Sequence, residues 1–98
     1  MSEGTRVVRN DDENRYELYA DGKLAGFAEF APGEGETVFT HTEIGDEFAG
    51  RGLAKVLAAA ALDDVVARAE TIVPSCPFIA GYLRKNDGYA DHVRWPSR

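Results

Sequence analysis

The chain has 98 residues, 44% of them hydrophobic and 29% charged, which is the composition of an ordinary globular domain with one modest core. Its net charge of −6 and pI of about 4.8 argue against nucleic acid and an anionic membrane as partners, because both attract cationic surfaces. No apolar run is long enough to span a bilayer, the N-terminus lacks the apolar core of a signal peptide, and the single cysteine cannot form an internal disulfide. These features predict one cytoplasmic domain over residues 1–98.

The first half of the chain has the alternation of antiparallel strands. Residues 15–20, RYELYA, predict a strand with a buried face made of Tyr16, Leu18 and Ala20. Asp21-Gly22 is the pair that a two-residue hairpin turn with positive φ prefers. A second strand is predicted over residues 23–30, KLAGFAEF, with a buried face made of Leu24, Ala28 and Phe30.

Two more strands are predicted around this hairpin. Turn residues follow it, namely Pro32, Gly33 and Gly35. The β-branched run of residues 37–44, TVFTHTEI, then predicts a third strand of the meander. A short earlier strand is expected around residues 7–8.

The second half of the chain changes to helical composition. Residues 53–70 are rich in Ala and Leu and predict a helix, with an apolar stripe formed by Leu53, Val56, Leu57 and Ala60. Further apolar residues lie off that stripe, so we expect this helix to be covered on more than one side. Residues 71–74, ending at Pro74, predict a strand, and a strand that follows a helix after a strand indicates a parallel crossover. A short second helix is predicted from Pro77, and the tail after it is expected to be irregular.

Two glycines mark the entrance to the long helix, in the sequence EFAGRGLAKVL. The first turn of a helix has free N–H groups and the positive end of the helix dipole, and it binds anions when no side chain blocks the backbone. Gly50 and Gly52 leave the backbone open, and Arg51 adds a cation. The alternative is that the glycines only form a strand-to-helix turn.

This segment resembles the pyrophosphate loop of GNAT-type N-acetyltransferases, whose pattern is Gln/Arg-x-x-Gly-x-Gly/Ala. Gly52 and Ala54 match the pattern, whereas Ala49 stands where the family usually has Gln or Arg. Residues 15–93 as a whole resemble a small subgroup of GNAT-like proteins, often called YjdJ-like or NATD-type. The shared features are an HTE strand, a G-R-G loop, a V-P-x-C-P-F segment, a Tyr-Leu pair and a late tyrosine.

The resemblance implies an α/β (α+β) fold with a mixed, mainly antiparallel sheet, helices on both faces, and a splay between its fourth and fifth strands that forms an acyl-CoA cleft. Acetyl-CoA is the implied co-substrate, and no metal is implied. Its pantetheine is expected on the strand backbone near Ile44, and its pyrophosphate on the loop residues Gly50, Arg51, Gly52, Leu53 and Ala54. The chain lacks the long N-terminal helical segment of larger GNAT enzymes, so a more open acceptor side is expected.

Acetyl transfer to an amine needs a group that accepts the amine proton and benefits from one that protonates the leaving thiolate. His41 and Glu43 are two apart on a predicted strand and share a face, so either is a candidate base. The alternative is that Glu43 pairs with a cation and His41 is hydrogen-bonded at the sheet surface. Tyr82 resembles the family's general acid, although Gly88-Tyr89 follows it two residues later than in the family pattern. Tyr89 is therefore a substitute candidate, and a buried structural tyrosine is the alternative.

Cys76 lies between Pro74 and Pro77, at the predicted end of the strand beside the splay. It is a candidate nucleophile that takes the acetyl group before the acceptor does, and the helix predicted from Pro77 would favour its thiolate form. The alternative is a small buried apolar residue, the commonest state of a free cysteine.

The sequence therefore predicts an acetyl-CoA-dependent N-acetyltransferase with an unidentified amine acceptor. A non-enzymatic acyl-CoA-binding or protein-interaction module is the alternative, favoured by Ala49, by the shifted tyrosine and by the expected lack of N-terminal helices. A thiol-handling protein based on Cys76 is a third hypothesis. The acidic composition favours a cationic acceptor, such as a polyamine or a lysine side chain.

Overall fold

The computed structural model describes residues 4–96, which fold into five strands, two α-helices and two short 3-10 segments. The strands are β1 (Thr5–Asn10), β2 (Arg15–Ala20), β3 (Lys23–Gly33), β4 (Glu36–Ile44) and β5 (Thr71–Pro74). The α-helices are α1 (Leu53–Ala67) and α2 (Pro77–Lys85), and the 3-10 segments are Asp46–Phe48 and Asp87–His92. Every strand and helix predicted from the sequence is therefore present.

The strands form one sheet in the order β1-β2-β3-β4-β5. The first four strands are antiparallel to their neighbours, whereas β5 runs parallel to β4. The chain passes from β4 to β5 through α1, which confirms the predicted parallel crossover.

The two hairpin turns differ in how well the sequence predicted them. Asp21 and Gly22 both have positive φ, 54° and 83°, as the predicted two-residue turn requires. In the next turn only Gly35 has positive φ (70°), while Pro32 and Gly33 belong to β3. Proline is tolerated there because the pairing of β3 with β2 ends at Glu29, which leaves one edge of the strand free at Pro32.

The predicted position of Leu24 on the buried face is wrong. Ala28 and Phe30 are buried as expected, but Leu24 is 42% exposed. Between β2 and β3 the register shifts, because Leu18 pairs with Gly26 while Tyr19 pairs with Leu24. The extra residue in β3 is a bulge, and it moves the preceding side chain to the other face of the sheet.

Helix α1 buries one continuous stripe rather than several sides. Its buried residues are Leu53, Leu57, Ala58, Ala61, Leu62 and Val65. They recur at spacings of three and four, so they lie on one face of the helix. Val56 was predicted in the stripe but is 42% exposed, and the expectation of a helix covered on more than one side is wrong.

Both α-helices pack on the same face of the sheet. Their buried side chains join one core cluster with sheet residues from that face, among them Tyr16, Leu18, Phe30 and Phe39. The expectation of helices on both faces is therefore not met by the part of the chain that the structure describes. A turn of four residues, 11–14, connects β1 directly to β2, so no helix is inserted between them.

The face of the sheet that carries no helix is the open face. The strand registers place on it Arg15, Glu17, Tyr19, Phe27, Glu29, His41 and Glu43. Its side chains contact one another: the Arg15 guanidinium lies 4.7 Å from the centre of the Phe27 ring, and Glu17 accepts hydrogen bonds from Asn10, Arg15 and Tyr19. These contacts leave Glu17 only 5% exposed, although no helix covers it.

The tail is more ordered than predicted. After the 3-10 segment Asp87–His92, Val93 bridges to Ile72, and the Arg94 amide donates to the Ile72 carbonyl at 2.9 Å. The Arg94 guanidinium also binds both carboxylate oxygens of Glu36. The tail thus covers the outer edge of β5. Within residues 4–96, no helix has both the length and the apolar character needed to cross a membrane.

Candidate functional site

The sheet opens between its two parallel strands. β4 and β5 pair only from Glu36–Thr71 to Phe39–Pro74, and β4 then continues to Ile44 while the chain after Pro74 turns into α2. We call this opening the splay. It leaves the edge of β4 from Thr40 to Ile44 without a β5 partner, so its backbone groups are free to pair with an extended ligand.

A bulge decides which side chains of β4 face the splay and which face outward. Phe30 pairs with Phe39 and Glu29 pairs with His41, so Thr40 is an extra residue. Without it, strand alternation would place His41 and Glu43 on the same buried face as Phe39. The bulge instead turns them to the open face and directs Thr42 toward the core side.

His41 and Glu43 share a face, as predicted. Their side chains are half exposed, at 53% and 59%, and His41 Nε2 lies 3.4 Å from a carboxylate oxygen of Glu43. The His41 ring also lies 6.4 Å from the ring of Phe27, between centres. The two candidate bases therefore form a contacting pair on the open face, beside the splay.

Cys76 lies on the other side of β4. It follows Pro74, the last paired residue of β5, by two positions, and it is the N-cap residue of α2. Its thiol is 3.4 Å from the Thr42 hydroxyl and the residue is only 2% exposed. The sulfur is thus buried where β4 and β5 separate, at the positive end of a helix.

The glycine loop forms an open entrance to α1. Gly50 and Gly52 have φ values of 81° and 72°, a conformation that other residues rarely adopt. Gly52 is the N-cap residue and no side chain caps the helix, so the amides of its first turn have no intrahelical partner. The Arg51 guanidinium lies over the Phe48 ring and 3.8 Å from the Asp21 carboxylate.

A groove runs from the first turn of α1 along the whole length of α2. It has a volume of about 210 Å³ and is lined by Lys55, Pro77, Phe78, Gly81, Tyr82 and Lys85. Its floor is apolar, and within residues 4–96 neither lysine forms an ion pair. Of these six residues, sequence reasoning selected only Tyr82. Lys55 directly follows the loop, three residues after the N-cap Gly52, and this position in the first turn of α1 was the available signal.

The two candidate tyrosines have different surroundings. Tyr82 lines the groove, whereas the Tyr89 hydroxyl donates to the Asp63 carboxylate of α1 at 2.6 Å. Burial and this hydrogen bond raise the pKa of Tyr89 well above its usual value. Tyr89 therefore serves as a contact between the tail and α1, which leaves Tyr82 as the tyrosine of the groove.

The structure brings the predicted residues together around β4. Cys76 and the groove with Tyr82 lie on its core side, the glycine loop follows its end, and the pair His41–Glu43 lies on the open face. In the described range 4–96, no three His, Cys, Asp or Glu side chains are grouped to hold a metal ion.

The domain is an α/β domain whose mixed sheet opens between two parallel strands, beside an uncapped helix N-terminus. This combination is the fold expected of a GNAT-like protein. Residues 15–92 match the family model described as GCN5-related N-acetyl-transferase. This chain belongs to that family.

Two relatives illustrate the match. Protein NATD1 from Gallus gallus is 41% identical over 56 residues, which are 55% of this chain and 51% of that protein. The aligned part thus spans about half the length of that relative. A GCN5-like protein from Staphylococcus aureus, known from an NMR solution structure, has a TM-score of 0.71 at 21% identity, over 99% of this chain and 95% of that one. This likeness establishes the fold.

Proposed function

We propose that this protein transfers an acetyl group from acetyl-CoA to an amine and binds acetyl-CoA across the splay. One observation carries the proposal. The free edge of β4 leads along the chain to the uncapped first turn of α1, and Lys55 in that turn lines the groove together with Lys85. A pantetheine chain is extended and has amides, so it fits a free strand edge. Phosphates fit free helix amides and lysine ammonium groups.

The cofactor is proposed to contact β4 near Ile44 and the loop residues Gly50, Arg51, Gly52, Leu53 and Ala54. Lys55 and Lys85 supply cationic charge at the groove, although the chain has Ala49 where the family usually has Gln or Arg. This arrangement would place the thioester at the inner end of the splay, next to Cys76.

The proposed chemistry has two steps. In the first, the Cys76 thiolate attacks the thioester carbonyl, the C–S bond to CoA breaks, and Tyr82 protonates the departing thiolate. In the second, an amine attacks acetyl-Cys76 and the cysteine thiolate leaves; because His41 and Glu43 lie on the opposite face of the sheet, they accept the amine proton through water rather than directly. The helix N-terminus at α2 and the Thr42 hydroxyl stabilise negative charge on the sulfur in both steps.

Gly81 offers a test of cofactor binding that does not disturb the fold. A Cβ built at Gly81 meets no heavy atom within 4 Å, because this helical glycine faces the groove. Gly81→Leu should fill the groove, and removing a helical glycine should stabilise the protein by roughly 0.5–1 kcal/mol. By contrast, Gly52→Glu would also strain a residue with φ of 72°.

The measurement is calorimetric titration of acetyl-CoA and CoA, with thermal unfolding alongside. We expect binding to the natural protein, at least about tenfold weaker binding to Gly81→Leu, and near-normal binding to the control Gly81→Ala. Equal affinity in all three proteins would place the cofactor elsewhere. No binding of either ligand to the natural protein would contradict the proposal.

Cys76→Ser tests the two-step chemistry. Incubation with acetyl-CoA and no acceptor should add one acetyl group to the natural protein at Cys76, detected by mass spectrometry, and none to the serine variant. Transfer to amines should fall at least about a hundredfold in the variant, because serine is not activated by a helix N-terminus as a thiol is. Full transfer by Cys76→Ser with no adduct on the natural protein would instead indicate direct attack of the amine.

The same experiments separate the alternative functions. Tight binding without adduct or turnover is the result expected for a CoA-binding or interaction module. Rapid alkylation of Cys76 with no response to CoA is the result expected for a thiol-handling protein.

A further inference from the structure

Two lysines line the groove from different helices. Lys55 belongs to the first turn of α1, directly after the glycine loop, whereas Lys85 is the last residue of α2. Pro77, the first residue of α2, also lines the groove and lies eight residues from Lys85, which is roughly 12 Å along a helix. The groove therefore offers an anion two separate positions, one at the glycine loop and one at the far end of α2.

We infer that the Lys85 end of the groove binds the 3′-phosphate of CoA, and that Lys85 makes the protein select CoA over donors that lack this phosphate. The inference rests on the proposed acetyl transfer and specifies its donor. The donors it excludes are thioesters of 3′-dephospho-CoA and of phosphopantetheine.

The two positions match the distribution of phosphate in CoA. The nucleotide carries a pyrophosphate at its 5′ position and a separate phosphate at its 3′ position, with the adenosine between them. The uncapped first turn of α1 and Lys55 suit the pyrophosphate, which is proposed to lie there. Lys85 is on the other helix, so it is available for the second phosphate.

The size of the groove fits the adenosine and not the whole cofactor. Sites for whole drug-sized ligands measure roughly 300–1,000 Å³, and an apolar cavity of ~150 Å³ holds one benzene-sized group. At about 210 Å³, the groove accommodates one two-ring base. Phe78 is 36% exposed and offers that base an aromatic surface. Tyr82 instead packs against the core cluster, so it forms the inner wall of the groove.

The two positions differ in what else attracts an anion. At the glycine loop, the positive end of α1 adds to the charge of Lys55. Lys85 lies in the last turn of α2, where the helix dipole is negative and disfavours an anion. The neighbouring Arg84 lies over the Trp95 ring, at 5.2 Å, and does not line the groove. Binding of a phosphate at this end therefore depends on Lys85, which forms no ion pair within residues 4–96.

Lys85→Gln tests the assignment, with Arg84→Gln as the matched control that removes the same charge one residue away. The measurement is calorimetric titration of each protein with CoA and with 3′-dephospho-CoA. We expect the natural protein to bind CoA at least about tenfold more tightly than 3′-dephospho-CoA. Lys85→Gln should bind both ligands within about twofold of each other, with its affinity for 3′-dephospho-CoA unchanged. Arg84→Gln should keep the natural preference.

Two further variants separate the two phosphate positions. Lys85→Arg keeps the charge and should keep most of the preference for CoA. Lys55→Gln should weaken the binding of both ligands by the same factor, because both carry the pyrophosphate. The three exchanged side chains are exposed, so the variants should fold, and thermal unfolding without ligand checks this.

Competition by nucleotides makes the test independent of the pantetheine arm. Adenosine 3′,5′-bisphosphate should displace CoA from the natural protein at a concentration at least about tenfold lower than adenosine 5′-monophosphate requires. The two nucleotides should become equal competitors in Lys85→Gln.

Equal affinity of the natural protein for CoA and 3′-dephospho-CoA would overturn the inference. So would an equal loss of both ligands in Lys85→Gln, which would place the pyrophosphate at Lys85, or a lost preference in Arg84→Gln, which would indicate a general effect of charge. Failure of the natural protein to bind either ligand would instead contradict the proposed function on which the inference rests.

Discussion

At the scale of single residues, Cys76 belongs to the hydrophobic core cluster and yet has polar neighbours. It is 2% exposed, it caps a helix, and its thiol contacts the Thr42 hydroxyl. A free cysteine usually behaves as a small apolar residue. Here the Thr42 hydroxyl and the first turn of α2 both lie beside the sulfur.

The two tyrosines near the C-terminus provide a prediction at the same scale. Tyr82→Phe should lower transfer by about tenfold or more, because the variant cannot protonate the leaving thiolate. Tyr89→Phe should leave transfer within about twofold and lower the free energy of unfolding by ~1 kcal/mol, since it loses the hydrogen bond to Asp63. Steady-state kinetics and urea unfolding of both variants check this. The opposite ranking in activity would make Tyr89 the acid.

At the scale of secondary-structure elements, a polar contact fixes α1 on the sheet. The Tyr16 hydroxyl donates to Asp64 at 2.6 Å, and Arg68 donates to the same carboxylate oxygen at 2.7 Å. Arg9 in turn donates to the Tyr16 hydroxyl at 2.8 Å. Burial and the bond to Asp64 raise the pKa of Tyr16 to about 12, so this hydroxyl keeps its proton through the neutral range.

This contact predicts a pH dependence of stability. Burial acts to raise the pKa of Asp64, but the hydrogen bonds from Tyr16 and Arg68 outweigh it and lower that pKa below the usual value. A carboxyl whose pKa is lowered by folding stabilises the protein above its unfolded pKa of about 3.9, and this contribution disappears as the pH falls through the folded value.

Asp64→Asn should therefore lower the Tm at pH 7, and the difference from the natural protein should shrink below about pH 4. Asp12→Asn removes the same charge from an exposed turn and should show little effect at any pH. Thermal unfolding from pH 2.5 to pH 8 gives the comparison. A constant difference across that range would show that the contact does not depend on the carboxylate charge.

Two bulges, one in β3 and one in β4, determine which side chains of these strands face the core. The bulge at Thr40 turns His41 and Glu43 to the open face, and the bulge between β2 and β3 does the same for Leu24. Two extra residues thus bring Leu24 and the candidate bases His41 and Glu43 to one surface. A single-residue slip of either strand would return these side chains to the core face.

At the scale of the whole molecule, the charge is unevenly distributed over the surface. The chain carries −6 overall, yet the groove proposed for an anionic cofactor has Lys55 and Lys85 at its rim. A second cavity, lined by Leu24, Phe27 and Glu43 among others at the end of the β3–β4 pair, has a carboxylate instead. Net negative charge attracts a cationic acceptor from a distance and slows an anionic one.

Ionic strength should reveal this attraction. Raising salt from about 10 mM to 150 mM shortens the Debye length from roughly 30 Å to 8 Å, so kcat/KM for n-pentylamine should fall several-fold. Hydroxylamine is uncharged at neutral pH and should show little change as an acceptor under the same conditions. Equal salt dependence for both acceptors would contradict long-range attraction by the protein's charge.

Local patterns in the sequence predicted the elements well, because they depend on neighbours along the chain. Alternation gave β2 its bounds, Asp21-Gly22 placed the first turn, and the βαβ order predicted the parallel pairing of β4 and β5. The splay and the role of the glycine loop were predicted from the family resemblance and not from local patterns. The shared face of His41 and Glu43 followed from strand periodicity.

The tertiary structure alone decided the positions that depend on register and on contacts distant in sequence. Leu24 was expected in the core and lies outside it, since a bulge has no clear signal in a single sequence. Lys55 and Lys85 meet in one groove only because α1 and α2 pack side by side, 30 residues apart. The sequence by itself determined which strands and helices form, whereas packing determined which faces are covered and which side chains meet, because burial is shared among elements that no local pattern connects.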